Sequence, residues 1–399
     1  MKDVVIVSAV RTPTTKYGGE LRHIEPGNLG GVVVKGVADK IGFNSVEIEG
    51  VIMGCVLQTS ESPNVARLSQ LHAGIKIDGF AITINIQCGS GLESINQCAR
   101  YIERGDAVVM IGGGVEIMSR SPYLSYSHRW GHRMGHDTFV DYFEHIQNTV
   151  STDLFGVFKM PDVAQWLADE FQISRKDQDL YAVWSHEKAI NAIDKGLFKE
   201  EIVPVIVFNG KEKILVDTDN HPRRDCSYES FKTSPPAFSK EGTITVRNSC
   251  GINDGAAAVG LMTRKKADKL GCRIWARIKS MAVVGIHPKK VLFASHPAAL
   301  EALGRANLSL NNIDLLEIHE PFAASALSVI KGLGLSFDDE RINVNGAAIS
   351  LGHPVGCTGA RSVVTLLHEM DRRDSRYGLV TFCAGGGLGV ATVFERIKQ

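Results

Sequence analysis

Thr83-Ile84-Asn85-Ile86-Gln87-Cys88-Gly89-Ser90-Gly91 is the stretch on which the reading of this chain turns. Ile82, Thr83, Ile84 and Ile86 form a β-branched run, the mark of a strand. The run stops at a cysteine followed by two glycines around a serine. Beyond it Leu92, Ile95, Ala99 and Ile102 recur at three- and four-residue steps, a helical spacing. Cys88 therefore falls on a sharp strand-to-helix turn. The glycines are expected to permit that turn and to let a ligand come close. The start of the helix leaves free N–H groups near the sulfur, and the helix dipole favours a thiolate. Two readings stand here: a presented nucleophile, or the buried cysteine that most isolated cysteines are.

At 399 residues the chain is long for one core, and two or three units are expected. The 40 glycines exceed the usual share of about 7% and are clustered, which points to tight turns and close backbone approaches. Lys and Arg number 44, as do Asp and Glu, so no net basic field attracts nucleic acid or an acidic membrane. The eight cysteines fall singly, without C-x-x-C pairs or zinc-ligand spacing, so no metal is expected. Such cysteines suit a reducing compartment. Met1 to Val7 lead straight into a strand with no secretory signal pattern, and no apolar run is long enough for a membrane span. A cytoplasmic protein is the expectation.

Along the chain, apolar strands alternate with helices, which predicts a mostly parallel sheet covered on both faces. From about Met118 the character changes. Residues 121–142 are rich in His, Tyr, Arg and Gly, and 196–250 are irregular and carry Pro222, Pro235 and Pro236. The segment 119–249 reads as a long insertion, since a stretch this size without order is uncommon in a compact protein. Helices are expected within it at 163–171 and 175–195, the second capped by Ser174 with Asp177 in its first turn. The α/β pattern resumes at Gly251. The division is then 1–118 with 250–272, 119–249, and 273–399.

Two segments share a plan. One runs from Cys88-Gly-Ser-Gly91 through a helix, a charged turn and an apolar strand to Gly112-Gly113-Gly114. The other runs from Gly352-His353-Pro354-Val355-Gly356 through a helix, a charged turn and a strand to Gly385-Gly386-Gly387. This order predicts two copies of one α/β unit about a pseudo-twofold axis, with both loops facing a shared centre.

Four motifs now stand together: Asn85-Ile-Gln-Cys88-Gly-Ser-Gly, His319-Glu320-Pro321-Phe322-Ala323, Asn343-Val-Asn-Gly346 through Gly352-His353-Pro354-Val-Gly356, and Cys383-Ala-Gly385-Gly-Gly. With Asn253-Asp254-Gly255 between them, their order resembles that of the thiolase family over nearly the whole chain. The resemblance implies a duplicated αβαβα layered fold with a loop domain inserted in the first half. It implies acyl transfer between coenzyme A (CoA) thioesters, with CoA and acyl-CoA as substrates, no permanently bound cofactor, and a homodimer or homotetramer.

By the same resemblance Cys88 takes the acyl group as a thioester, and His353 takes the proton of Cys88. Cys383 is the second acid/base, acting on the methyl of acetyl-CoA. His353 and His319, the latter through a water, serve one oxyanion site, and the N–H groups of Cys88 and Gly385 serve the other. An imidazole with pKa near 6.5 beside a thiol near 8.5 suggests an ion pair at neutral pH. Arg223 maps near the adenine–phosphate end of CoA, Met160 along the pantetheine–acyl tunnel, and Phe322 at the acyl wall.

Ser249 and Cys250 stand where the family carries Ala-Ser near the pantetheine. His319-Glu-Pro321 replaces the Asn-Glu-Ala of short-chain biosynthetic members, and Lys159 replaces a histidine of many relatives. The stretch from Leu292 to Ser295 departs from a family Gly-x-Gly-Pro. These changes bear on chain length, not on reaction type. Two other functions compete: a decarboxylating ketoacyl synthase using Cys88, His319 and His353, and an inactive acyl-CoA-binding subunit. The completeness of the four motifs, Cys383 included, argues against both. Cys55, Cys98, Cys226, Cys272 and Cys357 read as packing residues.

Overall fold

The computed structural model describes residues 3–42, 48–147, 150 and 152–397, so Met1 and Lys2 of the leading segment lie outside the described residues. Nine strands make the backbone of one sheet: β1 (Val4–Arg11), β2 (Gly50–Gly54), β3 (Phe80–Ile84), β4 (Val109–Ile117), β5 (Asn253–Thr263), β6 (Ala276–Gly285), β7 (Leu315–Ile318), β8 (Tyr377–Ala384) and β9 (Leu388–Glu395). They lie in the order β3-β2-β4-β5-β1-β6-β9-β8-β7, and the short strand Thr15–Lys16 pairs with β5 off this path.

That order contains the duplication. From the outside in, the first half reads third, second, fourth, fifth, first strand. The second half reads β7, β8, β9, β6, which is second, fourth, fifth, first. The missing third strand survives as a parallel bridge between Ile342 and Leu316. The copies meet where β1 and β6 run antiparallel, Val5 opposite Arg277 and Ile6 opposite Ala276, as a twofold relation requires.

The sheet is not mostly parallel, as strand–helix alternation suggests. Only β2–β3, β2–β4 and β7–β8 of the path are parallel pairs. The final strand β9 is the reason on one side. It follows β8 through a tight turn with Gly386 and Gly387 at φ of 83° and 90°, and a short hairpin can join only antiparallel strands. On the other side, the long insertion between β4 and β5 brings β5 back antiparallel to β4.

Helices α1 (Pro26–Ile41) and α2 (Val65–His72) pack on one another and on the first-half strands. Helix α3 (Ser90–Arg104) follows β3. In the insertion, α4 (Met160–Glu170) and α5 (Arg175–Asp194) come next, followed by the hairpin Val205–Asn209 with Glu212–Val216. Ser174 caps α5, its Oγ accepting from Asp177 N at 3.1 Å. Helices α6 (Ser295–Ala306) and α7 (Ala323–Gly332) belong to the second half, and α4 and α5 pack against α7.

Helix α8 (Thr358–Arg372) is the counterpart of α3, and each has 15 residues. The two lie against each other between the halves, completing a helix–sheet–helix–sheet–helix stack. Leu92, Ile95, Ala99 and Ile102 share one core with Val363, Val364 and Leu367. The crossing is tight at its start. A Cβ on Gly91 would stand 2.8 Å from Ala360 N, and one on Gly359 would stand 2.5 Å from Leu92 N. These are equivalent positions, each the second residue of its helix. The triple glycines are not equivalent: Gly112–Gly114 lie inside β4, where a side chain would strike Ile95, Ala257 or Gly356, while Gly385–Gly387 form the β8–β9 turn. Among the described residues, no helix is long and apolar enough to cross a membrane.

Candidate active site

The turn after β3 differs from expectation in one respect. Gly89 has φ of −79°, and the left-handed residue is Gln87, at φ of 55°. The glycines serve close approach: a Cβ on Gly89 would come within 3.0 Å of Val390 and 3.1 Å of Ala384 in the other half. Ser90 holds the turn, its Oγ accepting from Ile86 N at 2.9 Å and donating to Gln87 O at 2.6 Å. Cys88 is thereby aimed across the joint between halves, with its Sγ 3.4 Å from His353 Nε2.

The His353 loop is fixed by the first half of the chain. Asn253 Oδ1 accepts from His353 N at 2.9 Å. The buried carboxylate of Glu116 accepts from Gly356 N at 2.8 Å, and from Val56 N and Leu57 N at 2.9 and 3.0 Å. Gly352 sits at φ of 93° against the Asn253 amide, where a side chain has no room.

Thr358 then determines which imidazole nitrogen faces the sulfur. Its hydroxyl donates to Pro354 O at 2.8 Å, so at 2.7 Å it can only accept from His353 Nδ1–H. That leaves the Nε2 lone pair directed at Cys88, the tautomer a base needs. Neither Thr358 nor Glu116 was found by sequence reasoning. The only signal was the helical step from the loop into α8. Thr358→Val is expected to lower kcat by at least about tenfold, a part of the ~10²–10⁴ that general base catalysis supplies, with KM little changed. Thr358→Ser should restore it, and steady-state kinetics on the three proteins checks both.

His319 and Cys383 complete the row. His319 Nδ1 lies 3.3 Å from Cys383 Sγ, and the His319 ring lies 4.6 Å from His353 and stacks on Phe382 at 4.4 Å, centroid to centroid. Two sulfurs are thus joined through two imidazoles. Glu320 anchors this segment, accepting from Asn343 Nδ2 at 2.7 Å, Tyr181 Oη at 2.8 Å and Ser185 Oγ at 3.0 Å. Pro321 has no N–H to donate, and its carbonyl accepts from Cys250 N at 2.9 Å.

The electrostatics oppose the expected Cys88–His353 ion pair. Burial is the largest influence on both groups and disfavours their charged forms. It pushes the Cys88 thiol up to about 12 and the His353 imidazole down to about 3. The free pKa values used for the sequence argument belong to water, not to this joint between two halves. Burial thus favours a thiol facing a neutral imidazole. Burial also holds His319 well below, and Cys383 well above, their ordinary values.

Cys88, His353, Cys383 and Gly385 line one cavity of about 930 Å³ with Arg223, Met160, Ser249, Cys250 and Phe322. His319 lies behind that surface, against Cys383. The Ser249 hydroxyl is occupied, donating to Thr245 O at 2.6 Å. The cavity also takes in Lys16, His221 and Arg224, which sequence reasoning did not single out.

A duplicated α/β unit that opposes a cysteine of one copy to an imidazole of the other defines a protein built for acyl transfer through sulfur. The thiolase N-terminal domain matches residues 4–265, the thiolase C-terminal domain matches 272–396, and the chain belongs to the thiolase family. It is 40% identical to an acetyl-CoA acetyltransferase of Syntrophomonas wolfei over 396 residues, covering 99% of this chain and all of that one. It is 42% identical to the beta-ketothiolase BktB of Cupriavidus necator over 398 residues, with 99% and 100% covered. The Bacillus anthracis acetyl-CoA acetyltransferase superposes with a TM-score of 0.96 at 38% identity, over 100% of this chain and 99% of that one. Human mitochondrial 3-ketoacyl-CoA thiolase gives 0.94 at 35%, with the same coverage.

Proposed function

We propose that this protein is an acyl-CoA:acetyl-CoA C-acyltransferase, which joins or splits the C2–C3 bond of a 3-ketoacyl-CoA. The observation that carries this reading is the row Cys88–His353–His319–Cys383, with contacts of 3.4 and 3.3 Å at its two ends. In cleavage, Cys88 Sγ attacks the 3-keto carbon while its proton passes to His353 Nε2. The C2–C3 bond breaks, and Cys383 gives its proton to the departing acetyl-CoA enolate. The proton held by His353 returns to Cys383; the thiol of free CoA then attacks the acyl-cysteine as His353 takes its proton, and the departing Cys88 thiolate recovers that proton as its bond to the acyl carbon breaks. Condensation is the reverse.

Neutral partners suit this sequence, because charge is created only as each bond forms. The N–H groups of Cys88 and Gly385 hold the oxyanion at the acyl carbon. His353, with His319 acting through a water, holds the enolate oxygen. Arg223 and its neighbours receive the phosphates of CoA, and Met160, Ser249, Cys250 and Phe322 line the path of the thioester arm. Residues 119–249 act as the loop domain over the two halves 1–118 with 250–272 and 273–399. The protein works as a homodimer or homotetramer in the cytoplasm, a reading supported by its family and its eight free cysteines.

CoA-dependent cleavage of acetoacetyl-CoA, measured beside a longer 3-ketoacyl-CoA, tests the proposal. Loss of the enol absorbance with release of acetyl-CoA is expected. Turnover of malonyl-carrier substrates without thiolysis would move the protein to the ketoacyl synthases.

A further inference from the structure

Helix α8 is buried along most of its length and still carries a polar stripe. Thr358 holds His353, Thr365 Oγ1 donates to Glu201 Oε1 at 3.2 Å, and His368 Nε2 donates to Ala9 O at 3.2 Å. Arg361 lies in this stripe, one turn beyond Thr358 and on the same side. It is 1% exposed, and none of Nε, Nη1 and Nη2 has a hydrogen-bond partner among the described residues. The other fully buried arginine, Arg11, is bound by Asp219 and Glu201 at 2.6–2.8 Å. Among the described residues, Arg361 has no such carboxylate in contact.

A guanidinium left without a counter-ion in the interior works against stability, so stability does not account for it. Its surroundings show where it acts. Glu317 on β7 faces it with Oε2 unpartnered, and His319 follows two residues later with Nε2 buried and unpartnered. These buried polar atoms have no partner among the described residues.

We propose that Arg361 is a positioning residue of the acyl-transfer site, a fixed buried cation one turn along α8 from the Thr358 that holds His353, where it opposes the build-up of positive charge on His353 and His319. The proposal rests on the assignment of His353 as base in the reading above. The other charged or titratable groups around Arg361 are Glu317 on β7, Arg11 on β1, Asp219 from the insertion and Cys357 at the head of α8. Burial, and then Arg361, lower His353, while burial, His353 and then Arg361 lower His319. Burial raises Glu317 to about 8, so at neutral pH its carboxyl stays largely protonated and does not cancel the guanidinium.

The test is titration of His353 and His319 by NMR of 13C-labelled imidazoles in the full chain, without substrate, assigned with His→Gln variants. In Arg361→Met both are expected to titrate higher than in the wild type, by about one pH unit or more, the scale of a nearby charge. Arg361→Lys should stay near the wild type. Unchanged imidazole titration in folded Arg361→Met would overturn the proposal, whereas a merely structural arginine would lower stability without moving it.

Glu317→Gln gives a second measurement if the Met variant does not fold. The wild type should show an inflection in the His353 and His319 shifts near pH 8, as Glu317 ionises and offsets Arg361, and the variant should lack it. The same inflection in both proteins would overturn the proposal. Wild-type thiolysis is measured separately, so its absence would remove the functional reading and leave the titrations legible.

Discussion

Cys88→Ser is expected to abolish acyl-enzyme formation and to lower kcat for acetoacetyl-CoA cleavage by about 10⁴-fold or more, the scale of losing a nucleophile. The reason is specific to this pocket. Burial already holds the Cys88 thiol near 12. A neutral imidazole 3.4 Å away can still take its proton during attack, because sulfur is a strong nucleophile even when little ionised. A hydroxyl in the same place is a far weaker acid and a poorer nucleophile, and burial penalises its anion in the same way. Intact mass after incubation with acetyl-CoA reads the acyl adduct directly. A serine variant that carried the acyl group and turned over at a tenth of the wild-type rate would remove Cys88 from the centre of the reaction.

Cys383→Ala is expected to separate the two halves of the reaction. Acylation of Cys88 needs His353 and the N–H donors, and these stay in place. Condensation needs a proton taken from the methyl of acetyl-CoA, and His319 alone, with Nδ1 3.3 Å from the lost sulfur, does not reach it in the same geometry. Exchange of labelled CoA into acetyl-CoA should persist at near wild-type rate. Formation of acetoacetyl-CoA should fall by about 10²–10⁴-fold, the usual worth of a positioned acid/base. Equal losses in both assays would indicate a collapsed pocket, and undiminished condensation would give the proton transfer to another group.

The parts of the chain that read clearly were those whose chemistry is local. The period of Leu92, Ile95, Ala99 and Ile102 marked α3, and Ser174 with Asp177 marked the start of α5. The motif residues Cys88, His353 and Cys383 fall on one cavity. What did not read was set by contacts between distant segments. The direction of β5 and β9 depends on how the chain returns, which alternation of strands and helices does not encode.

The glycines around Cys88 look conformational in the sequence but are steric, because the partners that demand them, β8 and β9 for Gly89 and α8 for Gly91, lie far along the chain. Gln87 takes the left-handed backbone that the glycines were expected to supply. The burial that opposes charge on the Cys88–His353 pair is hidden from the motifs for the same reason. Desolvation belongs to the assembled joint and not to either motif. Thr358, Glu116 and Arg361 carry no motif of their own, and their meaning lies in what they face.

The two crossed helices have a consequence for the economy of the molecule. Their starting ends are copies of one another, yet one carries the sulfur and the other the imidazole, so the pair is symmetric in shape and asymmetric in equipment. Each chain therefore builds one reaction centre from two domains. Neither domain contains both partners of the first proton transfer.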